Sequence, residues 1–106
     1  MALKFYDSPF HVTHTEKVAS KMAMKVDLSI MISQQIRERG WTQVEAASEL
    51  AVSQARISQL KNAKVENFTI DAMFDILDHL GFRSIVKVDS VHRASISISD
   101  NQALAV

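Results

Sequence analysis

Cysteine is absent from this sequence of 106 residues, glycine occurs twice and proline once. Without cysteine there can be no disulfide and no thiolate metal site, and nothing suggests an oxidising compartment. So few glycines and prolines argue against a fibrous or disordered chain. With only Gly40 and Gly81 there is also no glycine-rich loop to cradle a phosphate. The apolar runs fall far short of a membrane span, and the opening stretch MALKFYDSPFHVTH carries no long apolar h-region. A cytoplasmic protein without a membrane partner is therefore expected. Net charge is lacking too: twelve basic residues balance twelve acidic ones. An overall basic surface, the usual footprint of a nucleic-acid binder, is excluded on that count.

What is present fits one domain with a modest core, since 47% of the residues are apolar. Charge is unevenly placed. From Arg37 to Lys64, five cations (Arg37, Arg39, Arg56, Lys61, Lys64) face three anions (Glu38, Glu45, Glu49), a local excess of +2. The acids Glu66, Asp71, Asp75 and Asp78 come later. Residues 1–14 hold Phe5, Tyr6 and Phe10 around Ser8-Pro9 without a steady period, and read as an N-terminal arm. Thr15 to Arg39 lacks proline and internal glycine, so it reads as helix stopped by Gly40. Val18, Met22 and Val26 form one apolar line, and Leu28, Ile32 and Ile36 another. The switch near Asp27 leaves one bent helix or two open.

Between Trp41 and Lys64 the pattern is that of two short helices at a tight corner. Thr42 can cap the first, with Glu45 three residues on closing a capping box. Ala46, Ala47 and Leu50 supply its apolar stripe. The corner falls at Ala51-Val52-Ser53, and Ser53 caps a second helix that turns Ile57 and Leu60 inward. Ala55, Arg56, Ser58 and Gln59 are left off that stripe, so the second helix can stand clear and enter a major groove. A further helix, capped by Thr69, runs to Leu80 and ends at Gly81, with Phe68, Met73, Ile76, Leu77 and Leu80 closing the core. The period then changes to alternation: residues 82–88 and 94–99 read as two strands, with Asp89 to Arg93 connecting them. A lone two-stranded ribbon is marginal in water, so it either packs on the helices or pairs with the same element of a second chain. The domain arrangement expected is an arm over 1–14, a helical domain over 15–81, and a β extension and tail over 82–106.

Other constellations have blander readings. His11 and His14 lie near each other but His92 is distant, and no metal or other cofactor is expected. Asp71, Asp75 and Asp78 share helical spacing as a solvated acidic face, and no Ser-His-acid set has a locating motif. An enzyme is not expected. Trp41 is assigned to the core, and Met22, Met24 and Met31 to adaptable packing.

Thr42-Gln43, Ala46-Ala47, Val52-Ser53-Gln54, Ile57-Ser58-Gln59-Leu60 and Asn62-Ala63-Lys64, at this spacing, resemble the XRE (Cro/CI-type) helix-turn-helix regulators over roughly Ser33 to Leu80. The wider pattern, with NFTIDAMFDILDHLGF followed by strands, is similar to a subfamily of small HigA-like proteins. The resemblance implies a mainly α, lambda-repressor-like helix-turn-helix bundle with a short C-terminal two-stranded β element. It further implies a homodimer on a palindromic operator in double-stranded DNA, repressing transcription, often of its own operon. Many of that subfamily are antitoxins encoded beside a RelE/HigB-type toxin, so the alternative function is binding and neutralising such a toxin. Carried onto this chain, the resemblance implies that Gln43 touches phosphate or buttresses Gln54. Gln54 would reach base edges, Arg56 a guanine or a phosphate, Gln59 another base and Ala55 a thymine methyl. Ser53, Ser58, Lys61, Asn62 and Lys64 would position the backbone. The chain departs from the pattern at Ala51 and Ala63, where many relatives carry glycine. Ala51 is expected to strain the corner slightly.

Overall fold

A single helix, α1 (His14–Glu38), occupies the whole first helical region of the computed structural model, which describes residues 14–100. With no proline or glycine inside it, the backbone has no cause to break at Asp27. The change of apolar line instead marks a change of neighbours. In the C-terminal half Leu28, Ile32 and Ile36 are buried where α1 meets the later helices, whereas Met22 and Val26 only partly touch the core and Val18 is 46% exposed. Gly40, at φ +67, closes the helix: its N–H donates to the Arg37 carbonyl at 3.0 Å and the Trp41 N–H to that of Ile36 at 3.2 Å.

The next helix, α2 (Gln43–Leu50), starts on the expected capping box. The Thr42 hydroxyl accepts from the Glu45 N–H at 3.1 Å, and the Glu45 carboxylate accepts from the Thr42 N–H at 2.9 Å. Then comes α3 (Gln54–Lys61), with the Ser53 hydroxyl accepting from the Arg56 N–H at 3.1 Å. An alanine in the left-handed region follows each helix, Ala51 as the C-cap of α2 at φ 57 and Ala63 just after the α3 C-cap Asn62 at φ 54. The backbone N–H groups of Val52 and Lys64 then donate five residues back, to Ala47 at 3.0 Å and Gln59 at 2.8 Å. The two departures from the glycine pattern therefore fall where the chain most needs glycine. In α4 (Ile70–His79), Thr69 caps as expected, Leu80 forms the C-cap, and Gly81 follows at φ +91.

Two strands, β1 (Phe82–Ser90) and β2 (Arg93–Asp100), pair antiparallel with Phe82 opposite Asp100 and Val88 opposite Ala94. The connection is shorter than the sequence suggested. Backbone pairing continues through an irregularity between Val88 and Ser90, leaving only Val91 and His92 outside the strands. The expected Asp89–Arg93 loop is corrected accordingly. Apolar alternation ends at Val88, but ladder hydrogen bonds do not depend on side-chain character, so the strands outrun it.

The core gathers Ile32, Ile36, Ala46, Leu50, Ile57, Leu60, Val65, Phe68, Met73, Ile76, Leu77 and Leu80, with Phe82 at its edge. It is assembled by α2 on α3, α1 on α3 and α4, and the start of β1 on α4. The arm expected over residues 1–14 lies outside the described residues but for the backbone of His14, as does the tail 101–106. No described helix is long and apolar enough to cross a membrane.

Candidate nucleic-acid interface

The outer face of α3 follows from its inner one. Ile57 and Leu60 are buried at 0% and 1% exposure. At about 100° per residue, the opposite direction belongs to Ala55 and Asn62, flanked by Ser58 and Gln59. Gln54 and Ser53 open the helix and are exposed, as are Ala55, Lys61, Asn62 and Lys64, while Ser58 and Gln59 are half-buried. Asn62 folds back, donating from Nδ2 to the Ser58 carbonyl at 2.9 Å. The result is a helix presenting hydroxyl, carboxamide and methyl groups outward, with Gln54 at its N-terminal end about 90° round from that direction.

Two ties hold α3 in place. Gln43 Nε2 donates to the Gln54 carbonyl at 3.0 Å, joining the first residues of α2 and α3. At the other end the Ser33 hydroxyl donates to the Leu60 carbonyl at 3.1 Å, anchoring the helix to α1. Both polar groups thus act on backbone rather than on side chains.

The arginines behave differently from the carboxamides. Arg56 lies with its guanidinium 4.4 Å from the centre of the Phe68 ring, and Nη1 donates to the Asn67 carbonyl at 3.3 Å. It is half-buried on the flank of α3, about 100° away from the outward direction. Arg39 is committed as well: it stacks 5.2 Å from the Trp41 ring and donates to the Leu80 carbonyl at 2.6 Å. Trp41 in turn packs against the core, as expected. Arg37, exposed as Arg39 is, shares a hollow of about 390 Å³ with Ser33, Ile36, Gly40, Trp41 and Lys61. Arg37 is one of the five local cations, and nothing in its place in the sequence marks it for the interface. Its proximity to Lys61 depends on how α1 crosses α3, which periodicity does not specify.

The Glu45 carboxyl is held below its ordinary value near 4.5 by the Thr42 backbone N–H and, secondarily, by the Thr42 hydroxyl. No group of three histidines or acidic residues able to hold a metal ion occurs among the described residues. Asp71, Asp75 and Asp78 are exposed, Asp78 pairing with Arg83 at 2.8 Å.

No curated protein and no solved structure matches the chain. A family model described as a helix-turn-helix domain matches residues 13–89, which takes in all four helices and most of β1. Such a domain supports a DNA-binding regulator, with DNA as its partner. The match covers well over half of the sequence, and the chain belongs to the helix-turn-helix domain family.

Proposed function

We propose that the protein is a sequence-specific transcriptional repressor of the XRE type, acting in the cytoplasm as a homodimer on a palindromic operator. The observation that carries this reading is the polar, uncovered face of α3, held at both ends by Gln43 and Ser33. Gln54 and Gln59 serve as base readers, because a carboxamide can be bidentate to adenine, and Ala55 suits a thymine methyl. Ser53, Ser58, Asn62 and Lys64 hold the phosphate backbone, joined by Lys61 and Arg37 across their shared hollow. Arg56 acts from the flank, toward phosphate rather than base. Two copies would place their α3 helices in successive major grooves about 34 Å apart.

The test is a mobility shift of the promoter of the protein's own gene, run as a salt series. Retention at low salt, with specific binding surviving to higher salt than random DNA, supports the reading; no retardation at low salt removes it.

A second reading of another class is an antitoxin of the HigA-like kind that neutralises a RelE/HigB-like toxin. It is favoured by α1, where Val18 and Ile30 are 46% and 49% exposed, more apolar surface than a DNA-binding unit uses. Co-purification with the product of a neighbouring toxin-sized gene tests it, and loss of that complex on replacing Val18 by aspartate would place the contact.

A further inference from the structure

The β1–β2 hairpin has one apolar face, of which only the base is covered. By strand alternation Phe82, Ser84, Val86 and Val88 share that face with Ala94, Ile96 and Ile98, while Arg83, Ile85 and Lys87 share the other with Ser95, Ser97 and Ser99. Phe82 is buried and Ile98 rests on the core. Farther out, Val86 is 62% exposed, Val88 70% and Ile96 45%. Ile96 and Ile98 border an open groove of about 290 Å³ with Met24, Leu28 and Phe74, so β2 lies toward α1. β1 has no strand on its other side among the described residues. It is nine residues long and contains no proline, so it leaves backbone groups along that edge to water.

We propose that β1 pairs antiparallel with β1 of a second copy of this chain, about a twofold axis through Val86. The four strands then form one sheet in the order β2-β1-β1-β2. This deepens the homodimer reading above and rests on it. A twofold axis normal to the sheet keeps both apolar faces on one side. In this register Val86 meets Val86 of the partner subunit, and Ser84 meets Val88 of the partner subunit. On the far face Arg83, already paired with Asp78, comes beside Asp89 of the partner subunit, which lies at the irregularity between Val88 and Ser90 and pairs with Arg93 of its own chain, so the two ion pairs adjoin across the seam, and by symmetry this occurs twice. Pairing β2 edges about Ile96 instead brings Arg93 opposite serine, with no such charge match. The antiparallel arrangement also sets the overhanging tip of each hairpin beside the base of the other, which carries a helical body on the apolar side. Val86 and Val88 then gain cover that their own chain does not provide.

The chain contains no cysteine, so Val86→Cys introduces a single thiol. Directly opposite residues of an antiparallel pair come within reach of a disulfide. Mild oxidation of full-length Val86→Cys should yield a covalent dimer on a non-reducing gel, while Val91→Cys, out in the turn, should not. In sedimentation, Val86→Arg should raise the dimer dissociation constant at least about tenfold by setting like charges across the axis, with the helical circular dichroism retained. If the wild-type protein is a dimer, Val86→Cys does not cross-link and Val86→Arg leaves the dimer intact, the surface is wrong and the homodimer reading stands. A wild-type protein that is monomeric both free and on DNA overturns both.

Discussion

Gln43 donates its side-chain N–H to the main-chain carbonyl of Gln54 at 3.0 Å, so the first residue of α2 sets the position of the first residue of α3. A carboxamide side chain reaching 11 residues along the chain to a backbone acceptor works as a strut between the two helices. Replacing Gln43 by alanine should leave the fold intact, since the bond is exposed and worth about 1 kcal/mol. It should nevertheless weaken operator binding through misplacement of α3. Fluorescence anisotropy on operator DNA checks this, and an unchanged affinity would remove the strut.

Gln54→Ala and Gln59→Ala should each cost about 1–3 kcal/mol at one base position per half-site and relax discrimination there. Lys64→Ala, Lys61→Ala and Arg37→Ala should instead weaken binding evenly over all sequences, each reducing the salt slope by about 1. Binding to operators substituted at single positions separates the two groups. Equal losses on specific and random DNA for Gln54→Ala would end its assignment as a reader.

Arg56 provides a contrast. The resemblance left it a guanine or a phosphate to contact, and its guanidinium lies against Phe68 and the Asn67 carbonyl. Arg56→Ala should therefore lower folding stability by about 0.5–1 kcal/mol, measurable by urea unfolding, without relaxing any single base position. A variant of unchanged stability that tolerates a new base would restore the reader role.

Ala51 and Ala63 carry positive φ at the ends of α2 and α3. An L-residue there costs roughly 1–2 kcal/mol, which glycine escapes at the expense of a more flexible unfolded chain. Ala51→Gly and Ala63→Gly should each stabilise the protein by about 0.5–1 kcal/mol, seen as a higher urea midpoint. Destabilisation by either would mean that the alanine methyl makes a compensating contact.

The capping box predicts a pH dependence. Because the Glu45 pKa is depressed in the fold, the stability it contributes is present above its ordinary value near 4.5 and fades as pH falls through the lower folded value. Glu45→Gln, which keeps an acceptor for the Thr42 N–H without a charge, should flatten this acid limb. Thermal melts of both proteins from pH 6 down to about pH 3 compare them. An acid limb identical in the two would show that the carboxylate contributes nothing there.

The helices, their caps and their inward faces were determined by the sequence itself. Thr42, Ser53 and Thr69 cap through bonds spanning three residues, and Leu28, Ile32, Ile36, Ile57 and Leu60 bury at helical spacing, so short-range geometry suffices for both. Tertiary structure alone decided what depends on neighbours distant in the chain. Arg39 finds a carbonyl 41 residues away, and Arg56 finds Phe68 across the α3–α4 loop. A long side chain has many rotamers, and packing rather than periodicity selects among them. For the same reason the apolar stripe of α1 proved half-covered, and the hairpin a ribbon with a bare tip. Burial belongs to the surface an element meets, whereas its own residues state only which face is apolar.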